Sequence, residues 1–352
     1  MFYPTLAFIV PRTQFLSRLV LATSVLALLA VITACGGGSG SIRDDFTLTV
    51  YSSRSDAFMF PIISEYAEAA GADVLVKYRS TSELIAILQE EGDKSSADVF
   101  FAQDPGGLEA MGGMFTTLPD SILARVPDWA RSSDGKWVGL SGRARVVVYN
   151  TDALAEADLP GDIWDFIDPK WKGRIGLPPT NASFQTMVTG MRAIWGEGKT
   201  REWLEGIHAN NPSMYADNTA TVAAVGAGEV EVAFVNHYYL YRLLAKEGES
   251  FPARNYHLRD GGPGALVMVA GAGILKSSKH KEAAEQFIDF MLSSVAQQYF
   301  ASQTNEYPLI GNIAIQPGLM PLDEINQPSI STSDLAGIES TQRLLREALL
   351  LP

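Results

Sequence analysis

The 352-residue chain carries 40 acidic and 27 basic side chains, a formal charge of −13, with 47% hydrophobic and 19% charged residues. That length can hold two lobes of ordinary domain size, and the composition is globular rather than disordered. The negative surplus argues against a nucleic-acid surface, which needs a basic footprint, and a single cysteine excludes an internal disulfide framework.

The first predicted element is an export leader over residues 1–34. Arg12 and Arg18 precede an apolar run, 19–32, too short and too close to the N-terminus for an ordinary spanning helix. Ile32-Thr33-Ala34-Cys35 resembles a bacterial lipobox. That resemblance implies that Cys35 is diacylated and becomes the new N-terminus; the plainer alternative is a cleaved leader with an incidental cysteine. Residues 35–45 begin with a glycine- and serine-rich stretch of the kind that forms a flexible tether, able to hold a folded body off a membrane gripped by acyl chains. Removing the leader moves the formal charge from −13 to about −15, so the mature body has no charge-based affinity for anionic lipid.

The mature chain opens with an alternating strand, 46–51, and a helix over 58–70, where Phe60, Ile63, Tyr66 and Ala67 fall at helical spacing. A strand (72–78), a helix (80–91) and a strand (97–102) follow, an alternation that predicts an α/β unit with a largely parallel sheet. The β-branched run 143–149 reads as a strand passing to a second unit. That unit has strands at 174–177, 214–216 and 230–235 and helices at 183–195 and 219–226. An apolar strand at 265–270 is a candidate return crossing, and 281–304 is an amphipathic helix. Periodicity supports two α/β units and no more.

Enzyme signatures are missing. The four histidines are His208, His237, His257 and His280. None has zinc spacing, and no phosphate loop, Gly-x-Ser-x-Gly elbow or dinucleotide fingerprint occurs.

Several segments resemble the bacterial periplasmic ferric-ion-binding proteins, a branch of the type II solute-binding fold. They are 50–55 (Val-Tyr-Ser-Ser-Arg-Ser), 97–100 (Ala-Asp-Val-Phe), Trp164-Asp165-Phe166, 169–175 (Pro-Lys-Trp-Lys-Gly-Arg-Ile), 179–183 (Pro-Thr-Asn-Ala-Ser), Asn236-His237-Tyr238-Tyr239 and Glu306-Tyr307-Pro308. The resemblance implies two lobes, each a mixed sheet flanked by helices, joined by a two-strand hinge. Lobe 1 would be 46–147 with return segment 271–320. Lobe 2 would be 148–270 with C-terminal segment 321–352. It implies a monomeric lipoprotein in the periplasm or on the outer face of the cytoplasmic membrane. That lipoprotein would deliver Fe³⁺, with carbonate or phosphate as synergistic anion, to an ABC importer permease, and would bind no nucleic acid.

The same resemblance makes Tyr238 and Tyr239 the metal ligands, and the chemistry agrees. Fe³⁺ is a hard cation that prefers anionic oxygen, and it displaces the phenol proton as it binds. Two adjacent tyrosines reach one ion only where the backbone turns, because a continuing strand would point them to opposite faces. The family's histidine and glutamate places hold Ser55 and Gln103, and a further tyrosine place holds Ser183, so two phenolates leave the ion underserved. An exogenous anion is expected at the helix start Asn181-Ala182-Ser183, although plain capping fits the same residues. Asn218 and Asn236 match anion-contacting places of the family, and Arg54 and Arg145 could grip an oxyanion bidentately. Ser53 belongs to the same ligand loop. Among weaker candidates, Tyr51 is expected to line the cleft, Tyr149 to pack at the hinge, Tyr241 to pack in the core, and His237 to be a surface or second-layer group. The competing function is a same-fold binder of thiamine, a polyamine or a phosphonate, with Asp104 and Asp217 available to a polyamine.

Overall fold

The computed structural model describes Phe8–Ile9 and residues 47–351. In chain order the strands are β1 (Phe8–Ile9), β2 (Thr47–Ser52), β3 (Asp73–Tyr78), β4 (Val99–Ala102), β5 (Trp137–Asn150), β6 (Ile175–Leu177), β7 (Ser213–Met214), β8 (Val232–Asn236), β9 (Ala253–Tyr256) and β10 (Val267–Ile274). The α-helices are α1 (Asp56–Ala70), α2 (Thr81–Glu91), α3 (Pro105–Met111), α4 (Asp120–Leu123), α5 (Ala182–Trp195), α6 (Glu197–Ala209), α7 (Asn218–Gly226), α8 (Tyr238–Glu247), α9 (Lys281–Met291), α10 (Ser294–Gln303) and α11 (Ile338–Glu347). Cys35 and the tether lie outside the described residues. So does the leader apart from Phe8–Ile9, which pair antiparallel with β3 at Val76 and Leu75.

Local chemistry sets the early boundaries. Gly71 ends α1 with φ +60, returning its N–H to the Ala67 and Glu68 carbonyls, the left-handed cap that glycine adopts without a Cβ clash. Ser80 and Glu83 exchange side-chain and backbone hydrogen bonds at the start of α2, a reciprocal capping box.

The strands form a continuous sheet in the order β1-β3-β2-β4-β10-β5-β8-β6-β7, with β9 also on β5. Strands β3, β2 and β4 are mutually parallel. So are β7, β6 and β8. Between these groups, β10 runs antiparallel to β4 and β5, and β5 antiparallel to β8. The 14-residue β5 is buried throughout. Its residues from Trp137 to Ala144 pair with β10, and those from Arg145 to Tyr149 with β8. One strand thus serves both halves of the molecule, which is why 143–149 reads as an uninterrupted β-branched run broken only by two arginines.

Each half has its own core. Met59, Ile62, Phe100, Phe287 and Phe300 pack between β2, β4 and helices α1, α9 and α10. Trp171, Phe184, Trp203 and Phe234 pack around β6 and β8. Helix α11 returns to the second half, where Thr341 meets Thr189 of α5 at 2.8 Å and Gln342 donates to Gln185 at 2.9 Å.

The structure corrects several expectations. The helix expected over 281–304 is two, because Ser293 breaks out of α9 and caps α10 by accepting from the Ala296 N–H. The return strand is shifted toward the C-terminus, to β10. Helices α3, α6, α8 and α11 and strand β9 were not expected. Tyr149 is not at the crossing: it sits opposite Val232 and Arg254, in the second core.

Candidate functional site

Parallel strands present their carboxyl ends to one side, where open α/β sheets bind ligands. Ser53 and Arg54 follow β2, Gln103 and Asp104 follow β4, residues 181–183 follow β6, Asn218 opens α7, and Tyr238 and Tyr239 open α8 directly after β8. Arg143 and Arg145 stand two apart on β5 and so share one face of the strand.

The tyrosine pair sits where the backbone turns. Strand β8 ends at Asn236, and His237 takes helical backbone angles, φ −55 and ψ −39. The rings of Tyr238 and Tyr239 then stack, with centroids 4.3 Å apart and planes 29° apart. Tyr238 is fully buried and meets Phe58 of α1 edge-on at 5.9 Å, so a ring from the second half lies against the core of the first. Arg54 and Tyr239 are close enough to act on the Tyr238 hydroxyl electrostatically, yet that hydroxyl has no partner in hydrogen-bonding geometry. Burial, followed by Tyr238, pushes the Tyr239 phenol well above its ordinary range, against smaller pulls from Arg54 and Asn218.

Three buried arginines surround the pair. Arg54 Nη2 donates to Glu306 Oε2 at 2.7 Å. Burial works to discharge Arg54, but Glu306 and then the two tyrosines hold its pKa above the ordinary value. Arg143 donates to Ser183 Oγ at 3.2 Å and to the Val269 carbonyl at 3.4 Å. Arg145 donates to Asn236 Oδ1 at 2.9 Å and the Phe234 carbonyl at 2.6 Å. Burial and then the neighbouring Arg143 pull the Arg145 guanidinium down to about 9, still charged at neutral pH.

Buried polar groups in native proteins are almost always hydrogen-bonded. Among the described residues, nine of the fifteen unpartnered buried side-chain atoms belong to this region: the Nε atoms of Arg54, Arg143 and Arg145, both amide atoms of Asn218, Asn236 Nδ2, Asp104 Oδ2, Glu306 Oε1 and the Tyr238 hydroxyl. Each such group costs about 1–3 kcal/mol if left unmet, so this concentration marks a place built to receive something polar. Among the described residues no three His, Cys, Asp or Glu side chains converge as metal ligands. A metal held here must take phenol oxygen or bring its own ligands. Two cavities, of about 270 and 720 Å³, lie elsewhere, near Leu266 and Leu335 and near Asp120 and Arg131. The tyrosine cluster lies between the halves, with Tyr238 buried and Tyr239 partly exposed, and Thr186 of α5 donates to Asp104 at 3.1 Å.

Other expected site residues have structural duties. Asn181 Oδ1 accepts the N–H groups of Ser183 and Phe184 at 3.0 and 3.3 Å, so the helix start at Asn181, Ala182 and Ser183 is already capped by the chain. Ser53 Oγ accepts from Thr81 Oγ1 at 3.0 Å and the Gln103 N–H at 2.8 Å, tying the first loop to the second. Ser55 is exposed at the N-cap of α1, with no side-chain capping bond. Tyr51 does not line the site: its hydroxyl donates to Glu91 at 3.0 Å. Tyr241 donates to the Gly318 carbonyl at 3.2 Å and packs beside Tyr307. Asp104 and Asp217 both cap helices, accepting from Gly107 and Ala220.

His237 is not a surface group; its ring meets Tyr238 edge-on at 5.7 Å. It is fully buried, and its Nδ1 accepts the Ala144 N–H at 3.1 Å. Its Nε2 lies 2.8 Å from the Asn305 carbonyl and so must carry the proton. The ring is a neutral brace between β5 and the segment after α10, and burial pulls its pKa down to about 3.

Sequence reasoning missed Arg143 and Glu306. The signal for Arg143 was available: two arginines at i and i+2 in a run otherwise fit only for a core demand buried partners.

Residues 94–330 match the family of bacterial extracellular solute-binding proteins. This chain belongs to that family. The solute-binding protein is 32% identical over 309 residues to the major ferric iron-binding protein of Neisseria meningitidis serogroup B, covering 86% of this chain and 92% of the relative. Among solved structures, iron-bound HitA from Pseudomonas aeruginosa superposes with a TM-score of 0.82 at 34% identity, covering 86% of this chain and 99% of that one. A Trichodesmium protein (IdiA, FutA), solved with iron and citrate ligands, gives 0.74 at 27% identity, again covering 86% and 99%. The fold is therefore the type II solute-binding fold expected from the sequence, and the family is one of transport proteins rather than enzymes.

Proposed function

We propose that this protein captures ferric iron between its two halves, with the phenolates of Tyr238 and Tyr239 as protein ligands, and delivers it to the permease of an ABC importer. The observation that carries the reading is the stacked pair at the turn after β8, one hydroxyl buried and unpartnered among guanidinium groups. The Tyr239 phenol, raised by burial, ionises only against a strong cation, and a hard trivalent ion supplies that drive. The relatives named for ferric iron support the same cargo.

Two phenolates do not complete the coordination of a trivalent ion. The remaining positions fall to an oxyanion, carbonate or phosphate, for which Arg54, Arg145, Asn218 and Asn236 offer donors from both halves. A chelating carboxylate is the variant suggested by the citrate of the Trichodesmium structure. A polyamine fits less well, because Asp104 and Asp217 are engaged as helix caps and the buried charge is mostly cationic. Thiamine or a phosphonate would leave the phenols without a role.

The lobes in this reading are 46–147 with 271–320 and 148–270 with 321–352, hinged along β5 and β10. Iron and anion settle first on the tyrosine-bearing lobe, and Ser53, Arg54, Ser55 and Gln103 of the other lobe favour closure. The protein acts as a monomer and performs no catalysis. Residues 1–34 direct export, lipidated Cys35 anchors the chain, and 35–45 form the leash, which places the body in the periplasm or on the outer face of the cytoplasmic membrane.

The test is metal and anion analysis of the purified protein with its visible spectrum. Ferric phenolate absorbs visible light, so protein loaded with ferric carbonate or phosphate should be coloured and hold about one iron per chain. Colourless, iron-free protein under those conditions would refute the reading.

A further inference from the structure

Among the described residues, Glu306 is the carboxylate that ion-pairs with Arg54, at 2.7 Å, and it lies 3.9 Å from Arg143, with its side chain entirely buried. A lone buried carboxylate is costly to keep unless its partners need it. Its Oε2 is crowded: it accepts from Arg54 Nη2 at 2.7 Å and Ser141 Oγ at 3.3 Å, and at 2.9 Å it shares the Thr304 hydroxyl proton with the Phe300 carbonyl, 2.8 Å from that hydroxyl. Its Oε1 has no hydrogen bond and lies 3.9 Å from the equally unpartnered Nε of Arg143. The anchors therefore fix the oxygen that holds Arg54. Thr304 comes from the end of α10 and Ser141 from β5, so the anchor is built into the framework of the sheet and not into the loop after β2.

Beyond Glu306, the Arg54 guanidinium reaches the Tyr238 hydroxyl, which acts on its charge without meeting full hydrogen-bonding geometry. Its guanidinium lies over the Phe58 ring at 5.1 Å, the same ring that Tyr238 meets edge-on. It is near enough to both phenols for each to act on its charge. The first-half loop thus brings a cation, not an anionic ligand, to the face opposite the tyrosines. A flexible arginine does that only if something holds its far side.

We propose that Glu306 is a positioning residue for cargo capture: anchored by Thr304 and Ser141, it aims the Arg54 guanidinium across the cleft at the tyrosine pair and the anion bound there. This rests on the ferric reading above. Glu306 touches neither cargo nor phenol, and acts only through Arg54. The arrangement makes the closed complex depend on a buried ion pair that is remote from the metal.

The test is a double-mutant cycle in the full mature protein, read by ferric affinity in carbonate buffer, the visible ferric-phenolate band and thermal melting. Glu306→Gln keeps the shape and removes the charge; it should weaken ferric binding about tenfold or more, with the band retained because both phenols remain. Arg54→Ala should do the same, and the double variant should be no worse than Arg54→Ala alone, since the two act as one unit. Should Glu306→Gln fail to fold, Thr304→Ala serves, loosening one anchor at a distance and costing about threefold in affinity. Multiplying effects in the cycle, or variants that melt earlier yet bind iron like the wild type, would overturn the proposal. If the wild type itself takes up no ferric iron, it is the ferric reading that fails.

Discussion

The two walls of the site differ in kind. The wall after β8 and α7 offers oxygen and amide groups with nothing else to do: the Tyr238 hydroxyl, both amide atoms of Asn218 and the Asn236 amide nitrogen. The wall after β2 and β4 offers buried polar side chains that each already have a partner, although Arg54 Nε and Asp104 Oδ2 are unmet there too. Ser53 ties two loops together, Asp104 caps α3 and Arg54 answers to Glu306. Unmet polar atoms are where binding energy is stored, because a ligand that satisfies them removes a desolvation cost already incurred on folding. On the proposed reading, one wall holds the cargo and the other recognises that it has been filled.

The sharpest way to break this contrast is to strip the first wall of its phenols. Replacing Tyr238 and Tyr239 by Phe should abolish the visible band and lower ferric affinity by more than the roughly 10- to 100-fold that loss of an outer-sphere partner costs. The fold should survive, since both rings keep their packing against Phe58 and one another. Titration by iron with absorbance detection reads the first outcome and a melting curve the second. Retained colour in the double variant would mean that the walls had been assigned the wrong way round.

Acid should loosen the tyrosine wall from within, even without cargo. His237 braces the start of α8 against β5 as a neutral ring, with its pKa near 3 in place of 6.5, and burial also lowers nearby His257, to about 4. The unfolded chain takes up protons below about pH 6.5 that the folded chain refuses. The stabilisation is therefore complete above that pH and is lost as pH falls toward 3, a difference of a few kcal/mol. The urea midpoint of iron-free protein should fall across that window. His237→Ala should already be less stable at pH 7 and should show a shallower fall. Equal slopes for the two proteins would remove His237 from this account.

Much of the frame was legible before any coordinate. Strand–helix alternation gave β2 to β4 and α1 to α2 within a few residues, because those elements have sharp caps at Ser80, Gly71 and Gly92. Helix α8 escaped notice because its opening residues, Tyr-Tyr-Leu-Tyr, look like strand formers, and it is the turn at His237 that commits them to helix. Helix α11 and the segment before it are ordered by docking on α5, a contact with no local signature. In the site, the tyrosine pair stood out through its resemblance, whereas Glu306 did not. A buried glutamate is recognisable only once its partners, from residues as far away as Arg54 and Ser141, are seen to converge on it. The helix start at Asn181 was read for its free amides, but its own side chain already serves them.

The smallest expected effect completes the comparison. Ser55 and Gln103 occupy the places where the resemblance expected an imidazole and a carboxylate. In this chain Ser55 is exposed and its side chain makes no capping bond, and the Gln103 backbone, not its side chain, is what Ser53 holds. Neither side chain carries charge, so neither can match a phenolate for a trivalent ion. Ser55→Ala and Gln103→Ala should each change ferric affinity by less than about threefold, within the range of ordinary surface substitutions. Installing the missing group tests the same point from the other side. Gln103→Glu adds an anionic oxygen to the second wall and should tighten ferric binding while reducing its dependence on added carbonate. If Ser55→Ala or Gln103→Ala instead cost as much as a lost phenol, the loops after β2 and β4 would have to reorganise around the ion, and the division between a holding wall and a recognising wall would fall.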